Sequence, residues 1–159
     1  MDKGKWLGMA TVIVFLFCLV PFGLAAEEQA PVPEFVFADT EEIAWKPVEG
    51  VQGAKWKLLR TDPKTGAITA LVQFPAGSLE NPHHHTHGHM IYIVDGAKVV
   101  ENLTANKEFT LSEGMYLYTP AGNVHRIRYL TSCTFLFVTD GPFDMIWDQQ
   151  EVAAENRSD

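Results

Sequence analysis

Cysteine is scarce in this chain: 159 residues contain two, Cys18 and Cys133. Two cannot build the multi-bridge framework that replaces a core in small disulfide-rich domains. Positive charge is also short. Twelve Lys+Arg stand against 20 Asp+Glu, a formal charge of −8. That balance excludes the basic surface a nucleic-acid binder uses to displace phosphate counterions. It also leaves no polybasic stripe for anionic lipid. No repeat of fixed period, no composition shift marking a second domain and no convincing amphipathic helix is present. Histidine is sparse overall, at six residues, yet five of the six lie within positions 83–89.

The long apolar run is confined to the start. Residues 1–26 read MDKGKWLGMATVIVFLFCLVPFGLAA: Lys3 and Lys5, an apolar stretch over 6–20, a Pro–Phe–Gly break and small residues. That is the grammar of a secretory signal peptide, with Gly23 and Ala25, or Leu24 and Ala26, as the pair before cleavage. The competing reading is an uncleaved membrane anchor, since residues 6–23 approach the length of a spanning helix. Pro21, Gly23 and the Ala25–Ala26 pair favour cleavage, and the expected location is the periplasm or the exterior. Loss of Lys3, Lys5 and Asp2 leaves 10 basic and 19 acidic residues, a net −9. Cys18 leaves too, so no internal disulfide can form. Cys133, in the strand-like run TSCTFLFV, is expected to be a small buried hydrophobe.

The rest reads as strands and turns. Residues 27–42 are rich in proline and acid and are expected to be an extended leader, 43–148 a single β domain, and 149–159 a polar tail. Residues 55–61 and 67–74 form a hairpin signal, with Asp62-Pro63 opening its turn and Gly66 closing it. Further runs at 90–94, 97–100, 109–111, 115–119, 124–130 and 133–139 are separated by Asp95-Gly96, Glu113-Gly114 and Pro120-Ala121-Gly122. About nine short strands with frequent turns predict an all-β sandwich or barrel.

Residues 77–96 read GSLENPHHHTHGHMIYIVDG. Imidazole is the commonest side-chain ligand for borderline transition metals. In an extended strand, residues two apart share a face, so His83, His85, His87 and His89 can point together while His84 points away. A convergent site also needs a ligand from another segment, and His125 is the one histidine left to supply it.

These residues resemble the cupin superfamily. Its first motif, G-x5-H-x-H-x3-E-x6-G, is matched in spacing by Gly77, His83, His85 and Gly96. Its second, G-x5-P-x-G-x2-H-x3-N, is matched by Gly114, Pro120, Gly122 and His125. The resemblance spans about residues 67–140 and implies a jelly-roll (double-stranded β-helix) barrel, in line with the strand count. Two positions depart: His89 stands in the glutamate slot and Tyr129 in the asparagine slot. The implied metal set is therefore His83, His85, His89 and His125, four neutral imidazoles. Fe(II) or Zn(II) is the expected ion, with Cu(II), Ni(II) and Mn(II) also compatible and Mn(II) disfavoured by its taste for oxygen. His84 and His87 are expected to line the pocket or to hydrogen-bond behind the ligands.

Alternation from His89 and His125 points Ile91, Ile93, Ile127 and Tyr129 inward, an apolar pocket with one phenol. Tyr129 is either a donor to a bound oxyanion, the candidate catalytic residue, or an anchor of the wall, the plainer reading. Arg126 and Arg128 face outward, and Glu80 and Glu101 have no defined partner. Phe135, Phe137, Phe143 and Trp147 suggest core or dimer packing. The run KLLRTDPKTGAITALVQFPAG and the VTDGPFDMIWD close resemble bacterial cupins related to the cupin domain of zinc-dependent anti-sigma factors and to small dioxygenases. The resemblance implies a metal-dependent dioxygenase acting on a small enol, diketone or aromatic. The alternative is a non-catalytic zinc cupin that binds or senses a small ligand. A small molecule is the expected partner, with no nucleic acid, no membrane after signal cleavage, and a homodimer implied by the family.

Overall fold

The computed structural model describes residues 35–148, and the expected signal peptide and polar tail lie outside them. The described residues form eleven strands and no helix. In chain order these are β1 (Lys46–Pro47), β2 (Lys55–Thr61), β3 (Ile68–Phe74), β4 (Leu79–His84), β5 (His89–Asp95) and β6 (Ala97–Asn102). They continue as β7 (Lys107–Ser112), β8 (Tyr116–Thr119), β9 (His125–Tyr129), β10 (Cys133–Thr139) and β11 (Ile146–Trp147). Two antiparallel sheets result, of order β1-β2-β3-β10-β5-β8 and β11-β4-β9-β6-β7. The fold is the all-β jelly roll that the sequence predicts, with β1, β4 and β11 as strands its local patterning did not single out.

Turn chemistry sets the register. Between β2 and β3, Asp62 Oδ1 accepts from the backbone N–H of Lys64 (2.9 Å) and Thr65 (3.1 Å), and Gly66 follows at φ +73°. That side-chain turn substitutes for a backbone one and closes the predicted hairpin. Between β5 and β6 the chain reverses at Gly96, φ +83°, where a Cβ would lie 2.0 Å from the Ser132 carbonyl oxygen. Left-handed backbone and close main-chain approach both demand glycine there.

The core sits between the sheets. Ile91 and Ile93 of β5, Val100 of β6, Ile127 and Tyr129 of β9, Phe74 of β3 and Phe135 of β10 pack together with Cys133. The inward alternation expected for Ile91, Ile93, Ile127 and Tyr129 holds, each being buried. Phe74 stacks on Tyr129 at 4.4 Å and 4°. Cys133 is buried and unbridged, as expected. On the outer face of the second sheet Arg128 reaches Glu101 (2.7 Å) and Glu108 (3.1 Å), and Arg126 also pairs with Glu101. Glu101, expected to lack a partner, is thus clamped by two guanidinium groups. Desolvation pushes its carboxyl up, but the hydrogen bonds from Arg126 and Arg128 outweigh it and the net displacement is downward.

Candidate metal centre and cavity

The histidine run is not one extended strand. β4 ends at His84, the chain bends through residues 85–88, and β5 begins at His89. Gly88 permits the bend: a Cβ there would meet the Tyr118 hydroxyl at 2.2 Å and Asp140 at 2.6 Å. Strand alternation therefore does not carry from His83 to His89, and His87 does not join the set by parity. His84 and His87 do not line the central cavity, and the Nδ1 of each is buried without a hydrogen-bond partner. Neither makes the supporting contact expected of it.

Three histidines converge. One potential ligand atom from each of His83, His85 and His125 lies within 4.8 Å of the others, and all three residues are buried. β4 and β9 bring His83 and His125 directly opposite each other in register. Their rings are held by main chain. His83 Nδ1–H donates to the Asn81 carbonyl at 2.6 Å, and His125 Nδ1–H to the Asn123 carbonyl at 2.9 Å. His85 Nδ1–H donates to the Asp144 carbonyl, whose carboxylate also takes the Thr86 N–H at 2.9 Å. A proton fixed on Nδ1 leaves Nε2 as a lone pair. The Nε2 atoms of His83 and His125 are buried and without a partner in the protein. Buried nitrogens are normally satisfied, so this pair of orphans is a site shaped for a cation. A divalent transition metal fits it.

His89 stands beside the trio, its ring 4.7 Å from His85 and 5.7 Å from His125 between centroids. Burial keeps all four imidazoles neutral. It lowers His83 and His85 below the usual 6.5, takes His125 to about 3 and takes His89 to about 2, with repulsion from neighbouring histidines adding to each. Neutral imidazole is the form that ligates.

The histidines open on a cavity of about 770 Å³ between the sheets, within the ~300–1,000 Å³ of small-molecule sites. Its walls are largely apolar, with Ile91, Val100, Leu117, Ile127, Phe135 and Phe137 prominent. Besides Lys46 and Glu49, which are exposed, two buried charged residues that sequence reasoning missed interrupt them, Glu80 of β4 and Lys98 of β6. Glu80, expected to have no defined partner, accepts the Tyr129 hydroxyl at 2.8 Å. That bond favours the wall-anchor reading of Tyr129. Its hydroxyl is committed to Glu80, its ring is stacked in the core, and it stands behind the cavity wall. Burial raises the Glu80 carboxyl, against the pull of Lys98, and raises the Tyr129 phenol far up. Burial lowers the Lys98 ammonium to about 8, with Glu80 opposing. Strand alternation alone puts Glu80 and His83 on opposite faces. A bulge between them in the β4–β9 ladder turns both inward.

Comparison with known proteins accords with this architecture. The ChrR cupin-like domain family model matches residues 33–144. The chain belongs to this cupin family. The DNA damage-repair/toleration protein DRT102 of Arabidopsis thaliana is 40% identical to the cupin over 103 residues, 65% of this chain and 32% of that protein. The cupin thus spans about a third of that relative's length. Among solved structures, an acetylacetone dioxygenase from Acinetobacter johnsonii superposes with a TM-score of 0.63 at 20% identity, covering 79% of this chain and 85% of that one. The polyketide cyclase RemF from Streptomyces resistomycificus gives 0.62 at 14% identity, covering 78% and 94%. At these identities the likeness is one of fold. The cupin family, the histidine trio and the cavity together make this a metal-binding cupin with room for a small molecule.

Proposed function

We propose that this cupin is a metal-dependent dioxygenase-type enzyme for a small enol, β-diketone or aromatic compound, working outside the cytoplasm. The observation that carries the proposal is the pair of orphaned, buried Nε2 atoms on His83 and His125 at the wall of an apolar cavity. His83, His85 and His125 would hold the ion, with His89 as fourth ligand. Fe(II) is the ion that suits oxygenase chemistry, supplying an electron-rich centre with exchangeable positions for an enolate oxygen and O2.

The chain's own residues do the rest. The carbonyls of Asn81, Asn123 and Asp144 aim the imidazoles. Ile91, Ile127, Phe135 and Phe137 exclude water and match the apolar body of a small ligand. Glu80, pushed toward its neutral form and backed by Tyr129, can take or give a proton on the cavity wall. Support for the substrate class comes from the acetylacetone dioxygenase among its structural neighbours, and for export from the signal-like residues 1–26.

A second reading rests on His89. Four imidazoles around a tetrahedral Zn(II) leave no exchangeable position, which makes a ligand-binding or sensing barrel without turnover. Metal analysis of untagged protein, X-ray absorption at the metal edge and oxygen uptake with a panel of β-diketones separate the two. Iron with oxygen-donor ligands beside the imidazoles and diketone-dependent uptake are expected. Stoichiometric zinc with four nitrogens and no uptake refutes the enzyme.

A further inference from the structure

Two lysines are buried among the described residues, and they differ in one respect. Lys57 donates to the Thr40 carbonyl at 2.5 Å and lies 4.8 Å from the Trp45 ring centre. Lys98 is only 1% exposed, and the neighbours of its ammonium are aromatic faces. Its ammonium lies 3.5 Å from the centre of the Phe135 ring and 5.4 Å from that of Tyr129. Aromatic faces attract a cation but accept none of its three N–H bonds. Glu80 attracts the ammonium electrostatically, and one of its oxygens already takes the Tyr129 hydroxyl.

A buried ammonium is unfavourable unless acceptors and opposite charge meet it. Lys98 sits on the wall of the cavity that the four histidines also line. Those histidines are neutral, so Lys98 is the buried cation of the cavity wall, while the other lining lysine, Lys46, is exposed at the mouth. The strand path explains its aim: Lys98 pairs with Tyr129 across β6–β9 and shares a face with Val100, another lining residue.

We infer that Lys98 is an anion-recognition residue, taking the carboxylate of a small keto or enol acid whose carbonyl oxygen faces the histidine cluster. Glu80 and Tyr129 are positioning residues that keep the lysine's surroundings polar on one side, while Phe135 supports the ammonium on the other. The inference builds on the proposed dicarbonyl class and adds a negative charge to it.

The test uses full-length protein loaded with Fe(II) and kept free of oxygen, so that no turnover occurs, and two probes differing in one charge: acetoacetate and methyl acetoacetate. Calorimetry should show the wild type preferring the acid by roughly ten- to a hundredfold, the range of a hydrogen bond between charged groups. Lys98→Met should abolish that preference while keeping metal stoichiometry and ester affinity within about twofold. Lys98→Gln serves if the methionine variant misfolds. Arg60→Gln, which removes an exposed charge, should leave the preference intact. A wild type without acid preference, or a Lys98 variant that retains it, overturns the inference. Ester binding and metal content report separately on the underlying dicarbonyl reading.

Discussion

Mild acid should destabilise the metal-free protein through its histidine cluster. Burial holds His125 at about 3 and His89 at about 2, against 6.5 for a free imidazole. Between those values and 6.5 the unfolded chain binds protons that the folded chain refuses, so stability falls as pH drops. Each such histidine removes about 1.4 kcal/mol per pH unit across that window. At pH 5 one histidine accounts for about 2 kcal/mol and two for at most about 4 kcal/mol. The sum is an upper bound because each ring depresses the other only when both are charged. Glu80 acts with the opposite sign. Its raised carboxyl protonates more readily in the folded chain, and its contribution grows as pH falls. Asp62, lowered to about 2, titrates below this window. The about 2–4 kcal/mol from these two rings is a large share of the ~5–15 kcal/mol typical of a domain. Urea unfolding of chelator-treated protein at pH 7 and pH 5 measures it directly. The double variant His89→Gln, His125→Gln should lose more than half of the difference. Equal stability at the two pH values, or an unchanged difference in the double variant, refutes the argument.

Two further outcomes follow from the geometry. His85→Ala and His125→Ala should abolish stoichiometric metal binding while His84→Ala retains it, read by metal analysis after gel filtration; metal retained in the first two breaks the assigned trio. Gly96→Ala should destabilise the protein by about 1–3 kcal/mol, since it combines a left-handed backbone with a clash against the Ser132 carbonyl, and a denaturant midpoint equal to wild type would show that the turn relaxes freely.

The fold and most of the site were legible because both rest on spacing. Motif glycines such as Gly96 mark positions where the backbone admits no side chain, and alternation from His125 placed Ile127 and Tyr129 inward. What escaped did so for identifiable reasons. The bend at residues 85–88 broke the alternation that grouped His87 with His83 and His85. The bulge in β4 reversed the facing of Glu80 relative to the histidines, which local pattern cannot reveal. Lys98 was overlooked because a lysine in a strand is ordinarily solvent-facing. Its register opposite Tyr129 was the available signal. The support of His85 by Asp144, 59 residues away, is a tertiary contact with no local trace.

The carbonyl groups behind the imidazoles carry a consequence for how such a centre tolerates change. Asn81, Asn123 and Asp144 orient their histidines through peptide oxygens that every amino acid possesses. Replacing the amide side chain of Asn81 therefore leaves the aiming device intact, whereas the Asn123 amide also donates from Nδ2 to Asn102 Oδ1 at 3.1 Å and so steadies the loop that carries its carbonyl. Only an alteration that reroutes the chain, such as an insertion in the loop before β9 or a proline that displaces one of these peptides, would misdirect the rings. Mutational drift in the neighbouring side chains can proceed while the direction of the lone pairs stays constant.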